Sequence, residues 1–161
     1  MKKIFLYVYF ICGVGCSSRS NREATLAVLP SFNMLLMDSA TVLKAQEIPN
    51  GKPIVLLFFR PDCPHCQAET QAFIDHIDSL KNVQIYLLTI APLTEIREFY
   101  HRYHLDRYNN FTVGRDHEHS FYEAFRPSTI PYTAIYDGNK RLVRIYGQEA
   151  GIDNILKAIR I

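Results

Sequence analysis

The sequence has no tryptophan, few glycines and only four cysteines in 161 residues. Two of those cysteines, Cys12 and Cys16, fall in an N-terminal stretch read below as a leader and its junction. That leaves Cys63 and Cys66, which rules out a structural disulfide framework. Charge of one sign is also missing. The formal net charge is +2, and Lys2 and Lys3 lie in the leader, so the rest balances 16 bases against 16 acids. With no basic stripe, nucleic acid is not expected as a partner. No internal repeat or low-complexity segment is present. A hydrophobic content of 48% against 21% charged residues excludes disorder and implies one globular domain of ordinary size.

What is there begins at the N-terminus. Lys2-Lys3 followed by the apolar run from Ile4 to Ile11 reads as the charged and apolar regions of a secretory signal over 1–15. The run falls short of the about 20 residues that span a bilayer. Gly13-Val14-Gly15-Cys16-Ser17-Ser18 comes next. Small residues before a cysteine resemble a bacterial lipobox, with cleavage before Cys16 and lipid on its sulfur, although Gly13 stands where leucine is usual. A plain secretory signal with a nearby cysteine is the alternative. A free thiol there would be a liability in an oxidising compartment, which favours lipidation. The expected organisation is a signal peptide over 1–15, a lipidated N-terminus and tether over 16–29, and a domain over 30–161. The expected location is the envelope of a bacterium, lipid-anchored and facing the periplasm.

Within the domain, Phe32 to Met37 suggests a strand, and Asp38-Ser39 turns it toward a second around Thr41 to Leu43. Pro53 to Phe59 is a continuous apolar run, the pattern of a central strand buried on both faces. From Pro64 to about Leu80 the period becomes helical, with Ala68, Ala72 with Phe73, and Ile77 with Leu80 recurring. Val83 to Ile90 is a strand, and Leu93 to about Tyr103 a helix with Thr94 as its N-cap. Phe111 to Val113 is a short strand, and Glu118 to Phe125 a short helix. Tyr132 to Tyr136 and Leu142 to Tyr146 are strands around the turn signal Asp137-Gly138-Asn139, and Ile152 to Ile159 closes the chain as a helix. Alternating strands and helices followed by a hairpin imply an α/β fold with a mixed central sheet and helices on both faces.

The chemistry gathers at Cys63-Pro64-His65-Cys66, where the buried strand gives way to a helix. The first helical turn has unpaired N–H groups and a partial positive charge that stabilise a thiolate on Cys63. Pro64 suits that turn because its missing N–H costs little. His65, when protonated, adds positive potential, although it also fits a solvated loop histidine. Cys66, one turn on, is shielded and close enough to form a disulfide. Cys63 is therefore expected to attack and Cys66 to resolve the mixed disulfide. Half of a zinc site is the alternative, but no second cysteine pair completes four ligands, so no metal is expected.

The stretch from Phe58 to Glu69, with Thr129-Ile130-Pro131-Tyr132-Thr133 far downstream, resembles the thioredoxin-like lipoproteins related to the TlpA and ResA thiol–disulfide reductases. The resemblance runs from about Pro30 to the C-terminus and implies a thioredoxin-like fold. It makes Pro131 the family's cis-proline, facing the disulfide and leaving backbone groups at Ile130 and Pro131 to pair with substrate. An ordinary trans proline at a strand edge is the alternative. It gives Glu69 the place of an acid that moves protons to or from Cys66, where the residues alone also allow an exposed helix glutamate. Thioredoxins proper carry Trp and a buried Asp where this chain has Asp62 and Leu57, and Pro64-His65 is the dipeptide of the oxidising DsbA proteins.

The expected activity is thiol–disulfide exchange on exported proteins, in the reducing direction, with electrons from a membrane donor and no cofactor beyond the Cys63–Cys66 disulfide. An oxidase or isomerase of DsbA type is the second enzyme reading. A metal-delivery protein on the same fold is the reading from another class, since copper(I) suits thiolates. Copper-delivery relatives space their cysteines by three residues, which this chain does not. A peroxidase would place Thr or Ser three residues before its cysteine, where Arg60 stands. Tyr100, Tyr103 and Tyr108, around His101 and His104, read as helix packing or as a substrate surface.

Overall fold

The computed structural model describes residues 24–160. Its strands are β1 (Asn33–Leu36), β2 (Val42–Lys44), β3 (Ile54–Phe58), β4 (Gln84–Thr89), β5 (Phe111–Arg115), β6 (Tyr132–Tyr136) and β7 (Leu142–Tyr146). Its α-helices are α1 (Pro64–Asp75), α2 (Ile77–Leu80), α3 (Leu93–Arg102), α4 (Ser120–Phe125) and α5 (Ile152–Ala158). The strands form one sheet in the order β2-β1-β5-β4-β3-β6-β7. The central trio β5, β4 and β3 runs parallel, whereas β6, β7, β1 and β2 join antiparallel.

Every residue of β3 is buried, because helices cover both faces. Alternation along the strand feeds two cores. Val55 and Leu57 pack with Phe73 of α1, Phe99 of α3 and Ile155 of α5. Ile54, Leu56 and Phe58 pack on the other face with Leu26, Phe32, and Phe121 and Phe125 of α4. There Phe121 stacks on Phe58 at 5.2 Å and on Phe125 at 4.1 Å. Each fully buried side chain of this size contributes roughly 1.5–3 kcal/mol. Where β1 meets β5, a Cβ on Gly114 would lie 2.6 Å from the Leu35 carbonyl oxygen, so only glycine permits that approach.

Several details differ from the sequence reading. The helix expected from Pro64 to Leu80 breaks at His76, whose φ is −115°. The His76 ring takes the Ala72 carbonyl at 3.0 Å, and its backbone N–H turns to Ile74. The buried stripe of α1 is Cys66, Glu69, Thr70 and Phe73 rather than the register of Ala68, which is exposed. Thr94 is not the cap of α3; Pro92 holds that position, its carbonyl accepting from Ile96 N–H at 3.1 Å. Helix α4 starts at Ser120 rather than Glu118, because buried Asp116 accepts from the N–H groups of Phe121 and Tyr122 at 3.0 and 2.9 Å. Packing also begins ahead of Pro30. Leu26 is buried, its carbonyl accepts from the Tyr136 hydroxyl at 3.2 Å, and Ala27 and Leu29 bond to the β6–β7 hairpin.

Candidate functional site

Strand β3 runs out at Phe58, and Phe59 stays buried with its N–H bonded to Leu88 O at 3.0 Å. The chain then surfaces at Arg60 and turns, with Cys63 N–H bonded to Arg60 O at 3.2 Å. This turn sets Cys63 as the N-cap of α1 with Pro64 in the first turn. Its sulfur sits at the positive end of the helix and accepts from Cys66 N–H at 3.4 Å.

The two free thiols occupy different environments. Cys63 is half-buried, whereas Cys66 is fully buried. Burial pushes the Cys66 thiol well up, and hydrogen bonding to Cys63 adds to the rise. Desolvation disfavours the charged form. Cys66 therefore holds its proton at neutral pH.

Glu69 lies one turn beyond Cys66 on the same buried stripe and is not the exposed helix glutamate that the residues alone allowed. It is only 2% exposed. Its carboxylate accepts from the Thr133 hydroxyl of β6 at 2.6 Å and from Ala150 N–H at 3.1 Å. Burial holds its pKa above the usual carboxylate range, against the pull of those two hydrogen bonds. Its negative charge in turn raises the Cys66 pKa, although among the described residues its hydrogen bonds go to Thr133 and Ala150.

The Ile130–Pro131 peptide is cis, and Pro131 is buried at the start of β6. His65, Thr129, Ile130, Pro131 and the segment Gly147-Gln148-Glu149 line an open groove of about 420 Å³. The groove is pinned where the Thr129 hydroxyl donates to Gly147 O. His65, Ile130 and Pro131, some 65 residues apart in sequence, thus share one surface. Cys16 lies outside the described residues.

Two charge pairs flank Cys63. His65 Nδ1 is 3.0 Å from Glu149 Oε2, across 84 residues of sequence. Arg60 grips Asp62 through Nε at 3.0 Å and Nη2 at 2.5 Å. That guanidinium holds the Asp62 carboxyl below its ordinary range. Glu149 carries no signal in the sequence, and Asp62 is marked there only by standing in place of tryptophan. Among the described residues, no group of three or more His, Cys, Asp or Glu is gathered as a metal site.

The AhpC/TSA family model matches residues 27–149, from the first strap of the domain to the acid facing His65. The chain belongs to the AhpC/TSA family. Its fold is thioredoxin-like. Two curated relatives are the methylamine utilization proteins MauD of Methylophilus methylotrophus and Methylobacillus flagellatus. The first is 30% identical over 71% of this chain and 51% of its own length. The second is 26% identical over 67% of this chain and 50% of its own. The chain spans about half the length of these relatives. Among solved structures, a secreted Mycobacterium tuberculosis disulfide oxidoreductase homologous to E. coli DsbE superposes with a TM-score of 0.67. It shares 19% identity and covers 85% of this chain and 97% of its own. In this AhpC/TSA chain the sequence-identified residues Cys63, His65, Cys66 and Glu69 all stand on α1 or its cap, and Ile130-Pro131 leads into β6.

Proposed function

We propose that the chain reduces disulfides in exported proteins as a thiol–disulfide oxidoreductase of TlpA/ResA type. The observation that carries this reading is the asymmetry of the pair: Cys63 is accessible at a helix N-terminus, and Cys66 is buried and protonated beneath it. The Cys63 thiolate attacks one sulfur of a substrate disulfide. The substrate S–S bond breaks, a mixed disulfide forms, and one substrate thiolate leaves. Cys66 then loses its proton and attacks Cys63 Sγ, releasing the second substrate thiol and closing Cys63–Cys66. Two electrons pass to the substrate in the cycle.

Glu69 serves as the proton acceptor for Cys66. A buried carboxyl held above its usual range is a stronger proton acceptor than an ordinary one. Ile130 and Pro131 receive the substrate backbone in the groove beside His65. The pair is itself the redox group, so no bound cofactor takes part, and a membrane donor returns the dithiol. Lipid on Cys16 holds the protein to the bacterial envelope, facing the periplasm.

Capture of intermediates tests the division of labour. Cys66→Ser should accumulate mixed disulfides with exported proteins, resolved by mass spectrometry, and Cys63→Ser should accumulate almost none. Trapping by Cys63→Ser instead, or equal alkylation of both thiols in the wild type, would overturn it. Wild type that oxidises reduced, unfolded substrates faster than it reduces their disulfides would reverse the direction.

A further inference from the structure

Both basic side chains that flank Cys63 in the sequence carry a carboxylate of their own. Arg60, three residues before the nucleophile, is held by Asp62 at 2.5 Å. His65, in the first turn of α1, is held by Glu149 at 3.0 Å. Both acids are exposed, and among the described residues neither makes a second ion pair. Glu69 lies buried beneath the thiols, fastened to Thr133 and Ala150, and Glu95, Glu98 and Arg102 of α3 line a hollow together with Asp62.

A cation beside a thiolate stabilises the reduced form, because the dithiol state carries the thiolate and the disulfide does not. A Pro-His pair at a helix N-terminus should on that ground be oxidising. An acid bonded to the imidazole opposes any positive charge the ring presents to the sulfur. We propose that Glu149, with Asp62 as its counterpart across the turn, sets the potential of the Cys63–Cys66 pair: each neutralises a neighbouring cation and keeps the pair reducing despite the Pro64-His65 dipeptide. Glu149 is placed for this by its neighbour, since Ala150 N–H is bonded to Glu69 and so moors the segment to α1. The inference rests on the pair exchanging disulfides and deepens that reading by naming what tunes it.

The reaction to measure is the exchange dithiol + GSSG ⇌ Cys63–Cys66 disulfide + 2 GSH, read in glutathione buffers at pH 7. An exposed unit charge acting through water-like surroundings is worth about a two- to fourfold change in this constant. That corresponds to about 10–20 mV, since tenfold is about 30 mV for two electrons. Glu149→Gln and Asp62→Asn should each make the pair more oxidising and lower the Cys63 pKa, followed by thiolate absorbance. Glu149→Lys should move it further in the same direction. His65→Ala should make it more reducing, and the double variant His65→Ala/Glu149→Gln should return close to wild type. All shifts should shrink in 1 M salt, which screens exposed charges. A Glu149 that merely props the loop predicts loss of thermal stability with no ordered change in potential. Glu149→Gln that leaves the constant unchanged, or moves it toward reduction, would overturn the proposal. Failure of the wild type to form the disulfide with GSSG would overturn instead the thiol–disulfide reading on which it stands.

Discussion

The two ends of the sheet differ in what their polar side chains do. At the end where β3, β4 and β5 start, a hollow of about 520 Å³ is lined by Lys52, Lys81, Gln84, Arg107 and Asn110 among others. Its amides are occupied in closing loops. Asn110 donates to Leu80 O and Val83 O at 3.0 and 3.2 Å, and Gln84 donates to Pro49 O at 2.9 Å. At the end where those strands finish, the hollow beside His65 is smaller, about 420 Å³, but two thiols, an imidazole and the carboxyls of Glu69 and Glu149 gather around it. Size alone would choose the first end. Chemistry and the direction of the parallel strands choose the other, where the loops after strand C-termini converge.

The contrast breaks most visibly at Cys63. Cys63→Ser should lower turnover of a disulfide-bonded peptide by on the order of 10³ or more, because among the described residues the one other thiol, Cys66, is buried. Turnover within tenfold of wild type would mean that the chemistry lies elsewhere.

A middle-sized effect belongs to Glu69. Its folded pKa is raised by burial, so the native state binds the proton more tightly than the unfolded chain. Its contribution to stability is therefore complete below the unfolded carboxyl value of about 4.3 and is lost as pH rises through the folded value. The slope is at most about 1.4 kcal/mol per pH unit for one proton. Glu69→Gln should flatten that part of the curve, measured by urea denaturation from pH 4 to 8, and slow resolution of the mixed disulfide several-fold. An unchanged slope would show that Glu69 is not the titrating group.

The smallest effect is expected at the opposite end. Lys81→Ala with Arg107→Ala should keep turnover within about twofold and leave the melting temperature nearly unmoved, as surface changes usually do. A tenfold loss would give the larger hollow a part in the reaction.

The comparison also explains what was legible in the sequence. Cys63 to Cys66 are contiguous, and their placement after a run of apolar residues announces a strand yielding to a helix. The order of strands, the hairpin and the two-faced sheet followed from periodicity for the same reason: each signal is local. Glu149 reaches His65 across 84 residues, and no local pattern marks it. Glu69 was half legible. It sits at the spacing i, i+3, i+4, i+7 with Cys66, Thr70 and Phe73, the stripe that α1 buries. Following Ala68 and Ala72 shifts the reading off that stripe, because alanines sit equally well on either face. The break at His76 was hidden because it depends on a side chain competing for the Ala72 carbonyl, which propensity does not record.

One feature at the margin of the fold bears on how the molecule behaves in a crowd. Strand β7 is an outer strand of the sheet, and unpaired edge N–H and C=O groups invite another chain to add itself. Residues 27–29 cover the beginning of that edge: Leu142 N–H donates to Ala27 O, Leu29 N–H to Lys140 O, and Val28 bridges Arg141. Farther along, the exposed Arg144 puts a charge on the strand. The stretch expected to be no more than a tether thus serves in part as a guard strip. A chain beginning at Pro30 would keep its thiols but lose Leu26 from one core and present an open ladder to its neighbours, so the cost of that trimming would fall on stability and colloidal behaviour rather than on redox chemistry.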